Sequence, residues 1–311
     1  MSDNSPLPHP VPPSASQSGD SPAGFLYALA AYLLWGFLPL YMKALGHIPP
    51  AEVVAHRVLW SVPIALLVLW GTGRWQDLRA ALTSVRMLGM GLMTAALISV
   101  NWGIYVWAIG SGHALDAALG YYINPLFSIF LGAVLLREKL GRTQMGAILL
   151  AAVAVGILTW DAGRLPVVAL SLTLTWGFYA FLKRRLPIGP NQAFTLEVLI
   201  LLAPAVGFII YLGTTGTGHF QVGVANDDLL LIGCGIVTAG PLMIYANGAK
   251  RLTLSTIAIM QYIAPTMIFL TAVFVFGEPF SQVKLMAFGL IWAALVIYSL
   301  PMLVGRLRAK T

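Results

Sequence analysis

Ten stretches of this chain are long and apolar enough to cross a bilayer, and they account for most of its length. A helix needs about 20 apolar residues to span the hydrocarbon core. Runs of that kind cover roughly Gly24–Leu45, Ala51–Trp70, Met87–Ile109, Asp116–Leu136, Thr143–Trp160, Leu165–Leu182, Asn191–Leu212, Asp228–Ala249, Leu254–Phe276 and Lys284–Val304. The fifth and sixth are short and only "DAGR" separates them. Composition agrees: 59% of the 311 residues are hydrophobic and 9% are charged, against about 25% charged in an ordinary soluble domain. So few polar side chains cannot cover a globule in water. The expected fold class is an all-α integral membrane protein with ten transmembrane helices.

The segments outside the spans carry their own signals. Residues 1–23 are rich in Pro and Ser and contain no Lys or Arg, which reads as a disordered tail. A signal peptide would need a basic n-region. The single cysteine, Cys234, excludes an intramolecular disulfide and multi-cysteine metal or redox motifs.

Basic residues set the direction. Arg74, Arg79 and Arg86 lie between spans two and three, and Arg137, Lys139 and Arg142 between four and five. Lys183, Arg184 and Arg185 lie between six and seven, and Lys250 and Arg251 between eight and nine. Arg306, Arg308 and Lys310 follow the last span in a basic tail, residues 305–311. Fourteen of the 18 basic residues thus fall on one side. The positive-inside rule makes that side the cytoplasm, with both termini there. The net charge of +7 is this bias and not a nucleic-acid patch.

The chain also repeats itself. "YYINPLFSIFLGAVLLREKL" parallels "QYIAPTMIFLTAVFVFGEPF", so that Tyr122, Ile123, Pro125 and Glu138 match Tyr262, Ile263, Pro265 and Glu278 at a spacing of 140. Tyr105 matches Tyr245 in the same register, and at 141 Trp35-Gly36-Phe37 matches Trp176-Gly177-Phe178. Pro49 and Pro63 match Pro190 and Pro204. Residues 24–160 and 165–304 therefore form two repeats of five spans. Five is odd, so the repeats enter the membrane from opposite sides. Inverted repeats suit alternating access, with a solute site where they meet.

These segments resemble the EamA type of the drug/metabolite transporter superfamily. "AEVVAHRVLWS", "NWGIYVWAI", "ALGYYINPLFSIFLGAVLLREKL" and "VTAGPLMIYANGAKRLTLS" occur in that family's order, and the likeness runs from about Gly24 to Leu303. One departure is Asp116, where the family pattern calls for Glu. The resemblance implies two inverted five-helix repeats with helices five and ten outside the solute cavity. It implies no particular solute.

Candidate functional residues are the polar and aromatic groups inside spans, which normally face a cavity or one another. Glu52 and His56 share a helix face at i, i+4, and Arg57 lies about 100° further round. An arginine near the centre of a span costs about 2.5–3.5 kcal/mol on insertion scales. Two readings stand for this group: a local Glu52–Arg57 ion cluster that eases insertion, or an anion- or proton-responsive site at the outer end of a cavity. Asn101, Asn124, Asn247 and Gln261 either line a cavity or bridge helices. Trp35 with Trp176, Tyr105 with Tyr245 and Tyr122 with Tyr262 form matched aromatic pairs. In the repeat register His56 falls on Glu197, one in the outer third and one in the inner third. The pair is a candidate for proton coupling. Glu138 and Glu278 read as structural anchors.

No HExxH, GxSxG, GxGxxG or P-loop occurs, and no histidine pair has ligand spacing. Nothing therefore calls for an enzyme, a metal or a cofactor. The expectation is a secondary carrier of a small organic solute in the bacterial inner membrane, with lipid, solute and protons as partners. A channel, or a membrane sensor or assembly protein that moves nothing, are the alternatives.

Overall fold

The computed structural model describes residues 21–137, 140–220, 225–249 and 251–308, and the side chains of 301–308 are outside the description. The tail at residues 1–20, Glu138 and Lys139, Lys250 and the side chains of the basic tail thus lie outside the described residues.

Twelve helices carry the ten passes: α1 (Pro22–Ala44), α2 (Pro50–Thr72), α3 (Trp75–Thr83), α4 (Val85–Gly110), α5 (Ala114–Leu136), α6 (Arg142–Ala162), α7 (Val167–Lys183), α8 (Pro190–Thr215), α9 (Ala225–Ala249), α10 (Leu254–Met260), α11 (Ile263–Leu270) and α12 (Gln282–Arg308). Nine spans among the described residues are long and apolar enough to cross a membrane. The tenth, α7, has 17 residues, about 26 Å of helix, just short of the hydrocarbon core. The outward surface is apolar, down to Trp160 at 90% exposure, as lipid contact requires.

The structure corrects the sequence reading in several places. Pro22 and Ala23 belong to α1, whose first turn is capped by the Ser21 hydroxyl accepting the Gly24 N–H at 3.1 Å. The predicted tail therefore ends earlier. The backbone of α12 continues to Arg308, past the predicted boundary at 304. The loop between spans two and three holds α3, whose Leu78 and Ala81 are buried against Leu69 and Leu196. The ninth span is not one helix. It breaks between α10 and α11 at Gln261 and Tyr262 and ends in a π-helical turn, Thr271–Val275. Pro265 explains the break: it has no N–H for the Gln261 carbonyl, and its ring crowds that carbonyl. The matched Pro125 sits inside the unbroken α5.

The packing repeats as the sequence does. α1 packs on α9 and α11, and its counterpart α7 packs on α4 and α5. α2 pairs with its own counterpart α8, and α6 with α12. Exchanging the two halves therefore maps this set of pairings onto itself. The glycine of each Trp-Gly-Phe sits at a matching close approach. A Cβ on Gly36 would lie 2.7 Å from the Cβ of Met267, and one on Gly177 would lie 2.6 Å from a ring carbon of Phe127. Met267 and Phe127 are themselves 140 positions apart. α6 and α12 stand to one side, as the resemblance implied.

Candidate solute cavity

Five helices, α1, α2, α4, α7 and α9, enclose a small cavity lined by Trp35, Arg57, Ile98, Trp102, Trp176, Tyr179, Val237, Thr238 and Leu242. Its volume is about 40 Å³, room for roughly one or two waters. Six of the nine lining residues pair across the halves. Trp35 and Trp176 are repeat equivalents, and so are Ile98 with Thr238 and Trp102 with Leu242. The cavity thus sits where the two halves meet. A larger groove of about 500 Å³ between α6 and α12, bordered by Trp160 and Met286, lies outside this helix set.

Among the described residues, Arg57 is the one charged side chain lining the cavity. It is 3% exposed. Its Nε donates to Thr238 Oγ1 at 3.0 Å, and its guanidinium carbon lies 4.6 Å from the centre of the Trp102 ring. Nη1 has no hydrogen-bond partner. The predicted Glu52–Arg57 ion cluster does not form. The Glu52 carboxylate instead accepts the His219 backbone N–H at 2.6 Å and meets its Nδ1 at 2.8 Å.

Contacts between connectors and helices tie the halves together at both ends of the bundle. At one end, His219 on Glu52 is joined by His47 on Asp227 at 3.0 Å. At the other end, Gln192 Nε2 of α8 donates to Asp77 of α3 at 3.3 Å. In each case the connector after the second span of one half reaches the start of the second span of the other. Further along α8, Glu197 is 1% exposed and pairs with Lys183 Nζ at 2.8 Å. Tyr179, which lines the cavity, donates its hydroxyl to the same carboxylate at 3.1 Å.

Of the thirteen residues proposed from sequence, Trp35, Arg57 and Trp176 line the cavity. His56 is next to it but buried against Phe220, with Trp60 Nε1 donating to its Nδ1 at 3.1 Å and Nε2 unpartnered. Asn101 bridges helices: its amide donates to the Leu172 carbonyl at 3.2 Å and to Thr175 Oγ1 at 2.8 Å. Tyr105 packs on Tyr121, and Tyr245 on Tyr32 and Trp35. Tyr122 bonds Thr266 at 2.7 Å and packs against Trp292 of α12, away from the cavity. Asn124 is buried with its Oδ1 unpartnered. Asn247 and Gln261 donate to carbonyls of their own chain segment, at 3.0 and 3.1 Å, and Tyr262 sits at the break in the ninth span. Glu278 is an anchor. Its carboxylate accepts the Ala114 and Leu115 N–H groups at 2.7 and 2.9 Å, neutralising the positive end of α5.

A Vibrio cholerae protein described as an uncharacterized transporter is 41% identical over 281 residues, covering 90% of this chain and 93% of that protein. Residues 22–160 match the EamA-like transporter family. The chain belongs to that family. Other EamA relatives include the Bacillus subtilis uncharacterized transporter YojE, 39% identical over 91% of this chain and 95% of that protein, and the Streptomyces exfoliatus protein RarD, 38% identical over 88% and 87%. A crystal structure at 20% identity aligns with a TM-score of 0.59 over 91% of this chain and 99% of the other, so the fold extends beyond close relatives. This EamA-like protein is a multi-pass membrane transporter.

The sequence reading missed six of the nine lining residues, Ile98, Trp102, Tyr179, Val237, Thr238 and Leu242. Tyr179 had a signal, because it lies three residues after Trp176 on the same helix face.

Proposed function

We propose that this protein is a secondary carrier that moves a small organic solute across the bacterial inner membrane by alternating access, with both termini in the cytoplasm. The observation that carries the reading is the paired lining of the central cavity. Equivalent positions of both halves meet around one space, so the same half-structure can open it to either face. The ties at the two ends support it, since each joins the halves and can be released separately. Protons are the candidate coupling ion: His56 and Glu197 are titratable, buried repeat equivalents.

The test is flux in proteoliposomes, using solutes selected by thermal stabilisation of the purified protein. A carrier gives saturable uptake and counterflow of labelled solute. Ohmic single-channel current would instead establish a pore. His56→Gln and Glu197→Gln, measured with and without a pH gradient, separate coupling from structure. Wild-type flux and pH response in both would remove protons from the scheme. Reporter fusions after Gly46, Gly112 and Gly216 should read external, and those after Gly73, Gly141 and Pro187 internal.

A further inference from the structure

We propose that the cavity selects a small organic anion, a monocarboxylate with an aromatic or apolar body, and that Arg57 receives the carboxylate. The inference rests on the carrier reading of this cavity and gives it a substrate class.

The first ground is the state of Arg57. A buried guanidinium is normally matched by a carboxylate, because an isolated charge in a dry interior is strongly disfavoured. Among the described residues no Asp or Glu oxygen lies within 4.0 Å of Arg57. The carboxylates of Glu52 and Glu197 are held elsewhere, by His219 and by Lys183. Nη1 is left without a partner. A guanidinium held at Nε by Thr238 and stacked on Trp102 keeps Nη1 for a ligand. Its planar fork matches a carboxylate in shape and charge.

The second ground is the rest of the wall. Trp35, Trp102, Trp176 and Tyr179 surround that one charge with ring faces and edges. They can stack on an organic body. The third ground is asymmetry. The repeat equivalent of Arg57 is Val198, which is fully buried. Only one half of a paired cavity supplies charge, which suits a solute charged at one end. The acid closest to the opposite end, Glu197, is already matched by Lys183, which argues against a cationic or zwitterionic solute. At about 40 Å³ the cavity must widen to admit such a molecule. The Arg57–Thr238 bond joins α2 to α9 across the two halves, so a carboxylate that competes for Arg57 loosens the contact that must part.

The test uses the purified full chain in lipid nanodiscs with benzoate, phenylacetate and indole-3-acetate as probes. Their neutral amides, and phenylalanine and tryptophan, are the counter-panel. Isothermal titration calorimetry reads binding directly, because the indole probes themselves fluoresce where the three tryptophans of the site do. At least one carboxylate should bind saturably, at least tenfold tighter than its amide. Arg57→Gln should abolish that preference, and Arg57→Lys should keep a weakened one. The acid-against-amide comparison in the unaltered protein stands even if the variants fold poorly. Equal binding of acids and amides, tighter binding of the zwitterions, no saturable binding by any carboxylate, or wild-type carboxylate affinity in a folded Arg57→Gln protein would each overturn the proposal. Liposome flux separates it from the carrier reading. Arg57-dependent binding without counterflow refutes the carrier and leaves the anion site. Counterflow of neutral solutes with no carboxylate preference refutes the anion site and leaves the carrier.

Discussion

Lys183 and Glu197 form a buried pair whose two members should respond very unequally to mutation. Glu197 is 1% exposed, and its Oε1 has no partner. Lys183 is at the end of α7, and 18% of its side chain is exposed. Lys183→Met leaves a carboxylate in the protein interior with only the Tyr179 hydroxyl to compensate it. Stranding a buried charge in this way costs about 3–5 kcal/mol. Glu197→Gln keeps the shape, and its amide oxygen still accepts from Tyr179. The released ammonium can extend along its flexible stem toward water. That substitution loses roughly one charge-assisted hydrogen bond, about 1–2 kcal/mol. The two variants should therefore differ by about 2 kcal/mol, roughly thirtyfold in the folded-to-unfolded ratio, with Lys183→Met the worse. Adding Glu197→Gln to Lys183→Met should recover most of the loss, because it removes the stranded charge. Unfolding in mixed micelles by SDS titration, followed by fluorescence and circular dichroism, measures all four proteins. Equal costs for the single variants, or a double variant equal to their sum, would refute the reasoning.

Further outcomes follow from other contacts. A Cβ on Gly235 would run into the backbone carbonyl and Cβ of Trp60, whereas Gly240 has nothing within 4 Å. Gly235→Ala should thus cost about 1–3 kcal/mol by overpacking, and Gly240→Ala should be neutral or stabilising by up to about 1 kcal/mol, as thermal melts will report. Glu52→Gln weakens the outer tie to His219. It should raise labelling of the sole cysteine, Cys234, by an impermeant maleimide added outside several-fold, and unchanged labelling would remove Glu52 from the gate. Glu278→Ala takes the acceptor from two N–H groups at the start of α5 and should cost about 1–3 kcal/mol in the same melts, while Glu278→Gln should retain part of it.

The spans were legible because lipid imposes one simple requirement, and apolar runs meet it within a few residues of the helices found. The repeat was legible where both halves kept the same side chains, as at Trp35 and Trp176. It was hidden at Ile98 with Thr238 and Trp102 with Leu242, where equivalent positions hold unlike residues, and there the sequence reading lost part of the cavity wall. α3 was missed because Arg74, Asp77 and Arg79 mask the helical spacing of Trp75, Leu78 and Ala81 in an otherwise polar connector. Asn101 and Tyr122 were expected at the cavity. A polar group in a span is satisfied equally well by a neighbouring helix, and nothing local separates the two fates. The partner of Glu52 is a histidine 167 residues later, which no pattern within one helix can reveal.

Alternating access itself is tested most directly by distances across the two ends. Two doubly labelled proteins in a Cys234→Ser background would carry spin labels at Ala44 and Thr217 for one end, and at Gln76 and Pro187 for the other. All four positions are exposed. Double electron–electron resonance then gives the population of open and closed forms at each end. The account predicts two distances at each end, with the open fractions together not exceeding one, and with a bound solute raising one at the expense of the other. Open fractions that exceed one in total would mean that both ends open together as in a pore, and single unchanging distances at both ends would mean a protein that does not transport; either result would contradict it.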